Sequence, residues 1–186
     1  MDVLIVTLYS YILGSIPFGL ILTRLAGLGD VRKIGSGNIG ATNVLRTGNK
    51  FIAALTLIID GLKGTLSILL TIQYFNELTY YAAVIVFLAH IFPVWLKFKG
   101  GKGVATFIGS LIVINFYLSI VFVTAWLIML AIFRISAASA LLGYLVVTVT
   151  AFIFFDQKIF FLIFFYFITS IFTHRQNIAS IIKDNF

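Results

Sequence analysis

The sequence predicts an all-α polytopic integral membrane protein whose 186 residues form one domain (1–186). It is 61% hydrophobic and only 10% charged, whereas a soluble globular domain carries roughly 25% charged residues. Its apolar residues fall in runs long enough for membrane helices, which need about 20 apolar residues each. The chain contains no cysteine, which excludes a disulfide scaffold, thiolate chemistry and cysteine-based zinc sites.

Seven apolar runs separated by polar breaks predict about seven transmembrane helices. The first basic residue follows the first run, so we interpret that run as a retained span rather than a signal peptide. The stretch 104–133 is too long for one span, which predicts a tight turn near Asn115–Tyr117. The predicted spans are Val3–Thr23, Phe51–Ile72, Leu78–Leu96, Val104–Phe116, Tyr117–Phe133, Ile135–Phe155 and Ile159–Thr173.

Three of these spans carry polar or helix-breaking residues. Pro17, within the small-residue stretch Gly14–Gly19, is expected to kink the first span and to allow close helix packing. Asp60 and Lys63 are expected to interrupt the second span, and their i, i+3 spacing predicts a local ion pair. His90 lies alone on an apolar helix near the end of the third span, where a histidine is more often packed and hydrogen-bonded than a ligand.

The basic residues predict the orientation of the chain. With seven spans, 11 of the 13 basic residues lie on one side, Lys158 lies on the other, and Lys63 lies within a span. The positive-inside rule therefore predicts an outside N-terminus and a cytoplasmic C-terminus. The residues on the cytoplasmic side are Arg24, Arg32, Lys33, Arg46, Lys50, Lys97, Lys99, Lys102, Arg134, Arg175 and Lys183.

Glycine is concentrated in two cytoplasmic segments. Nine of the 15 glycines lie in Arg24–Lys50 and Lys97–Gly103. Glycine lets backbone N–H groups converge on an anion because no Cβ blocks the approach, and neighbouring Arg and Lys side chains add positive charge. We interpret both segments as phosphate-binding loops; the alternative is a polar loop whose glycines only turn the chain.

The first segment predicts a short helix that starts near Asn38. From that start, Asn38, Thr42 and Arg46 recur on one face, with Asn43 beside them, and Ser36 or Asn38 would cap the helix. A polar face at a helix N-terminus suits the phosphate ester of a small polyol.

The second segment and the C-terminal tail add further polar groups on the same side. Three lysines and three glycines stand in Lys97–Gly103, directly before the fourth span. His174 and Asn177 are three residues apart at the end of the seventh span and are expected to point back toward the loops. His174 is a candidate general base or a group that orients a substrate hydroxyl. With two histidines and no cysteine in the chain, a zinc site is not expected.

These segments resemble the three cytoplasmic motifs of the bacterial acyl-phosphate:glycerol-3-phosphate acyltransferases. The resemblance covers essentially the whole chain, and one departure is Gln176, where the family has glutamate. The segments that carry it are Ser36–Arg46, Phe98–Thr106 and His174–Ile178, with Gly14–Gly19, Asp60–Gly64 and His90–Pro93 in support.

The resemblance implies a reaction, a location and partners. A fatty acyl group would pass from acyl phosphate to the 1-hydroxyl of glycerol 3-phosphate, giving lysophosphatidic acid and inorganic phosphate in phospholipid synthesis. The enzyme would lie in the bacterial cytoplasmic (inner) membrane with its site facing the cytoplasm, and no metal or organic cofactor is implied. The partners would be both substrates, membrane lipids and, as a candidate, the soluble enzyme that makes acyl phosphate, without nucleic acid.

The resemblance also implies roles for single residues. The proton acceptor is either His174 or a phosphate oxygen of a substrate, since Asp30 is the only carboxylate near either loop. The implied substrate-binding residues are Ser36, Gly37, Asn38, Thr42, Asn43, Arg46, Gly101 and Lys102, and the implied catalytic residues are His174 and Asn177.

A transporter of an organic phosphate is the alternative that the same basic loops allow. The interruption of the second span at Asp60 and Lys63 is the one feature that favours it. Transporters bind near the bilayer midplane, commonly between internal repeats, whereas the polar groups here gather at one face and the halves of the sequence show no convincing repeat.

Overall fold

The computed structural model describes residues 1–185, and within this part of the chain the regular structure is helical. Ten α-helices are joined by short loops and 3₁₀ turns. The helices are α1 (Asp2–Ser15), α2 (Phe18–Leu25), α3 (Ala41–Val44), α4 (Lys50–Phe75), α5 (Thr79–Ile91), α6 (Val104–Ile114), α7 (Phe116–Phe133), α8 (Ser136–Phe154), α9 (Gln157–Thr173) and α10 (Arg175–Asn185).

Each of the seven predicted apolar runs contains at least one helix, and two predicted breaks are confirmed. The first run divides into α1 and α2 at Ile16 and Pro17, where proline has no amide to continue the helix. The turn between α6 and α7 falls at Asn115, whose Oδ1 accepts a hydrogen bond of 3.0 Å from the Leu118 amide. This side-chain cap begins α7 and explains why one polar residue suffices to divide a long apolar stretch.

By length and apolarity, four helical segments of the described chain qualify as membrane spans. A fifth is the pair of α9 with Arg175–Ile181, which bends by 59°. One of the four, Lys50–Leu96, is 47 residues long, more than twice the roughly 20 residues of a span. It divides at the 3₁₀ turn Asn76–Leu78 into α4 and α5, which pack against each other.

The second predicted span is not interrupted: α4 runs without a break through Asp60 and Lys63, so that expectation is wrong. The predicted ion pair is confirmed, with Lys63 Nζ 2.9 Å from Asp60 Oδ1. Lys63 Nζ also donates a hydrogen bond of 3.0 Å to the Ile16 carbonyl, at the break between α1 and α2. Because these charges are compensated by partners outside the helical hydrogen-bond ladder, α4 stays regular.

The first unit (Met1–Ile114) is built around α4, which packs on α1, α5 and α6. Small residues let the helices approach closely: a Cβ added to Gly109 would overlap the carbonyl of Gly61, and one added to Gly64 would overlap that of Thr106. Hydroxyl groups join the helices as well, as between Ser67 and Ser10 (2.9 Å). Both devices are typical of helix packing in membranes.

The second unit, from Asn115 onward, contains α7 to α10. Helix α8 packs on α7 and on α9, and α10 contacts α8 and α9. Its core includes the rings of Phe122 and Tyr144, whose centroids are 5.0 Å apart in an edge-on arrangement. This unit carries the C-terminal motif that begins at His174.

Candidate active site in two glycine-rich loops

The first glycine-rich loop lies on a small apolar core, and its helix is shorter than predicted. Helix α3 begins at Ala41 rather than near Asn38, because Gly40 is extended (φ −77, ψ 163). Asn38 Oδ1 accepts the Gly40 amide at 2.8 Å and so closes a turn instead of capping a helix. Asn38 therefore does not share a helical face with Thr42 and Arg46. The core residues are Leu20, Val31, Ile39, Val44 and Ala53.

Asn43 holds the first loop together. It is 3% exposed, and its Nδ2 donates to the carbonyls of Val31 (2.9 Å), Ile34 (3.0 Å) and Asn38 (2.7 Å). Its Oδ1 accepts the Ser36 amide at 3.1 Å. Both amide hydrogens are thus engaged within the loop, whereas the sequence suggested a direct contact with substrate.

The side chain of Arg46 lies across Gly35. Gly35 has a φ of +52, and an added Cβ would overlap the Arg46 side chain and Asn43 Oδ1. This position therefore requires glycine both for its conformation and for the closeness of the guanidinium. Ser36, Thr42 and Arg46 are exposed, so their polar groups are accessible from outside the loop.

The second loop packs tightly on the C-terminal end of α5. The amides of Gly100 and Gly101 donate to the carbonyls of Ile91 (2.9 Å) and His90 (3.0 Å). An added Cβ would meet backbone carbonyls at Gly100, the His90 ring at Gly101 and the Phe87 ring at Gly103. Close packing is therefore a second reason for these glycines, beside the approach of an anion. The sequence contained no signal for it, since the partners are known only once the loop folds back on α5.

The two loops meet. Asn38 Nδ2 donates a long hydrogen bond of 3.4 Å to the Gly100 carbonyl. The pKa of Lys102 is lowered to about 8. Partial burial is the larger cause, and the positive charge of Arg46 is the smaller one. One cation, Arg46 or Lys102, therefore stands on each of two loops that meet. A site of this kind favours an anion with two negative charges, such as a phosphate monoester.

Asp30, the carboxylate nearest to the first loop in sequence, is engaged elsewhere. Hydrogen bonds from Arg32, with a further one from Arg24, hold the pKa of Asp30 well below its usual range. Its Oδ1 also accepts the Arg32 amide and begins the 3₁₀ turn Val31–Lys33. An ionised carboxylate held by two arginines is a poor proton acceptor.

Within residues 1–185, no three His, Cys, Asp or Glu residues form a group that could hold a metal ion.

His174 and Asn177 belong to the second unit. His174 is 2% exposed and lies between α9 and α10, while Asn177 lies in the first turn of α10. His174 Nδ1 is 2.9 Å from the Ser170 carbonyl. Nδ1 also lies 3.2 Å from the Ser170 hydroxyl and 3.4 Å from the Thr173 hydroxyl, and a hydroxyl can donate or accept. When Nδ1 donates to the Ser170 carbonyl, which only accepts, Nε2 is left as the accepting nitrogen that a general base requires.

The family follows from a comparison with known proteins. A family model described as glycerol-3-phosphate acyltransferase matches residues 4–184. The chain belongs to this family. A glycerol-3-phosphate acyltransferase of Mesorhizobium japonicum is 49% identical over 174 residues, which cover 94% of this chain and 89% of the relative. One from Agrobacterium fabrum is 52% identical over 172 residues, covering 92% and 84%.

Solved structures agree. The chain resembles the crystal structure of PlsY (YgiH), an integral membrane glycerol 3-phosphate acyltransferase, in its glycerol 3-phosphate form. The TM-score is 0.92 and the sequence identity is 29%, and the match covers 99% of this chain and 94% of that one. The lysophosphatidic acid form of that protein gives a TM-score of 0.90 and 28% identity over 99% and 93%. The predicted family is confirmed, and the chain is a membrane acyltransferase of lipid biosynthesis.

Proposed function

We propose that this acyltransferase uses acyl phosphate as its donor and the 1-hydroxyl of glycerol 3-phosphate as its acceptor. The products are lysophosphatidic acid and inorganic phosphate. The observation that carries the proposal is the contact between the two glycine-rich loops at Asn38 and Gly100, with Arg46 on one loop and Lys102 on the other, since both substrates bear a phosphate. The glycerol 3-phosphate and lysophosphatidic acid forms of the solved relative support the acceptor and the product.

In this proposal the two loops bind phosphate and glycerol oxygens. Arg46 offers two parallel N–H donors, and Lys102 adds a second positive charge. Asn43 contributes by holding the loop, because its amide is engaged there. The remaining contacts come from the Ser36 and Thr42 hydroxyls, the Asn38 side chain and the backbone at Gly37 and Gly101.

The proposed chemistry needs little beyond positioning, because an acyl phosphate is an activated mixed anhydride. The 1-hydroxyl oxygen bonds to the acyl carbon, the bond from that carbon to the phosphate oxygen breaks, and the hydroxyl proton ends on the departing phosphate. Either the phosphate takes this proton directly or His174 Nε2 relays it. Asn177 orients the hydroxyl, and Lys102, Arg46 or a loop amide stabilises the developing charge.

The proposal includes an arrangement in the membrane. Seven spans with the N-terminus outside and the C-terminus in the cytoplasm would place both loops and the tail on the cytoplasmic side of the inner membrane. Eleven basic residues on that side support it. A soluble polar substrate would then meet a lipid-like donor at the membrane surface, and the soluble enzyme that makes the donor is a proposed partner.

The alternative, transport of an organic phosphate, loses its main support. It depended on an interruption of the second span at Asp60 and Lys63, but α4 is continuous there. Broken helices near the midplane are the usual binding elements of such transporters.

A donor test on purified protein in detergent separates the possibilities. Palmitoyl phosphate with labelled glycerol 3-phosphate should yield labelled lysophosphatidic acid, while palmitoyl-CoA should yield none. Product from palmitoyl-CoA would overturn the proposed donor. No product from either donor, with counterflow of glycerol 3-phosphate in liposomes, would favour transport.

Substitution of Arg46 tests the site in the same assay. Arg46→Ala should raise the KM of a phosphate substrate by about tenfold to a hundredfold, since hydrogen bonds to charged groups contribute about 1.5–3 kcal/mol. Arg46→Lys keeps the charge but not the two parallel N–H donors, so its KM should lie between those of the wild type and Arg46→Ala. Full turnover with unchanged KM values in Arg46→Ala would remove Arg46 from the site.

A further inference from the structure

A cluster of three buried ionisable residues lies inside the first unit and takes no part in the proposed chemistry. Asp60, Lys63 and His90 are 2%, 4% and 3% exposed. Lys63 Nζ lies 2.9 Å and His90 Nδ1 lies 3.7 Å from the same carboxylate oxygen, Asp60 Oδ1. Desolvation makes buried ion pairs a weak source of stability, and apolar residues of equal volume often do as well. The cluster therefore calls for a reason other than stability.

The cluster contacts the second glycine-rich loop directly. The Gly101 amide donates to the His90 carbonyl at 3.0 Å. A Cβ at Gly101 would fall on His90 Nε2, so the Cα of this glycine lies against the imidazole edge. His90 thus contacts Gly101, the residue directly before Lys102, through both its backbone carbonyl and its ring.

The same cluster holds the far side of the loop. Helix α6 begins directly after the loop, and Thr106 Oγ1 donates to the Asp60 carbonyl at 3.0 Å. Lys63 Nζ ties the cluster to the Ile16 carbonyl at the break in the first span. Residues on both sides of the loop, His90 and Thr106, therefore lie against Asp60, and three helical segments fix the position of Asp60.

We propose that Asp60, Lys63 and His90 are positioning residues that hold the second glycine-rich loop in its phosphate-binding conformation, with His90 as the contact to Gly101. The inference rests on the proposed function, in which Gly101 and Lys102 bind a substrate phosphate. Small displacements of such groups lower catalytic efficiency strongly, by up to about a hundredfold for an ångström.

Compensating substitutions test this contact in the palmitoyl phosphate assay. Gly101→Ala should lower kcat/KM because its methyl group meets the His90 ring. His90→Ala should raise the KM of at least one phosphate substrate roughly tenfold, with a smaller change in kcat, because the loop loses its support. In the double variant the new methyl group occupies the vacated space, and kcat/KM should recover to at least about ten times that of Gly101→Ala.

Ile68→Ala is the matched control. Ile68 is fully buried on α4, two helical turns beyond Asp60, and its truncation should lower the thermal midpoint without changing either KM. A purely structural role for His90 would give that same result. If His90→Ala does not fold, His90→Gln takes its place with the same expected change in KM.

The KM values decide the outcome. A His90 variant with both KM values within about twofold of the wild type overturns the inference, whatever the double variant does. Wild-type protein that makes no lysophosphatidic acid contradicts the proposed function instead, so the two failures are distinguishable.

Discussion

Arg46 and Lys102 are positive side chains on the two loops of the candidate site. They come from loops more than 50 residues apart in sequence, and the charge of Arg46 contributes to the lowered pKa of Lys102. Each lysine or arginine by itself is compatible with membrane orientation or lipid contact. We expect this pair, with one cation on each of two loops that meet, to bind a doubly charged group.

The lowered pKa of Lys102 predicts a pH dependence. A lysine with a pKa of about 8 rather than 10.5 is protonated below pH 8 and loses its charge as the pH rises through that value. Since kcat/KM reports the free enzyme, kcat/KM should decline above about pH 8. A bound anion favours the charged lysine, so kcat should decline less.

Lys102→Arg provides the control for this prediction. Arginine has a pKa above about 12, so the variant keeps its charge throughout the range and should not show the decline, even if its overall rate is lower. Profiles of kcat/KM between about pH 6.5 and pH 9.5 measure the difference. The same alkaline decline in both proteins would show that Lys102 is not its source.

At the scale of helices, the crossing of α4 and α6 depends on a backbone contact. A Cβ at Gly109 would overlap the Gly61 carbonyl, a backbone atom that has no rotamer to move away. The reverse position is open, since a Cβ at Gly61 would meet the Ala105 carbonyl at 3.6 Å, an ordinary contact. The two glycines of one crossing therefore differ in what they tolerate.

This asymmetry predicts opposite outcomes for two similar substitutions. Gly109→Ala should push α6 away from α4 and destabilise the protein by about 1–3 kcal/mol, the usual range for overpacking. Gly61→Ala should leave stability unchanged or slightly higher, since alanine is the better helix former. Thermal unfolding in detergent compares them, and equal midpoints would contradict the described crossing.

The helices could be predicted from the sequence because hydrophobicity and helix breaks are local properties. Pro17 and Asn115 each act on their own helix, and both breaks were predicted. The contacts inside the loops were not predicted, because they involve residues that are distant in sequence. Asn38 meets Gly100 across 62 residues, and the reason for glycine at position 101 is the ring of His90.

The candidate site was predicted from residue types, and the individual tasks of its residues stay predictions. Arg46 and Lys102 were identified because glycine beside a cation is a local pattern. Asn43 was predicted to contact substrate, since a sequence does not show that its amide is engaged by backbone carbonyls. His174 was identified as a candidate base, whereas its contacts with Ser170 and Thr173 are visible only in the structure.

For the molecule as a whole, the distribution of charge predicts which loops face the cytoplasm. The natural chain contains no cysteine, so single cysteines can be introduced without a background. Cysteines at Glu77 and Lys158 should react with a membrane-impermeant maleimide in intact spheroplasts. Cysteines at Lys33 and Arg134 should react only after permeabilisation; all four positions are exposed.

The four positions report on the number of spans as well as on orientation. Seven crossings with an outside N-terminus place Glu77 and Lys158 on the same side. If a cysteine at Glu77 or at Lys158 is labelled from the same side as one at Lys33, the number of crossings between those two positions differs from the predicted number. Labelling of all four from outside would indicate leaky cells, which an additional cytoplasmic marker protein detects.

The hydrogen bond from Lys63 to the Ile16 carbonyl has a consequence for how the chain enters the membrane. A lysine in the hydrocarbon region is costly without a partner, and here part of that partner is supplied by another segment. Because synthesis proceeds from the N-terminus, the segment with the carbonyl acceptor is made before the lysine. The first segment, on which α4 depends, is thus made before α4. We expect α4 expressed apart from the first segment to insert poorly.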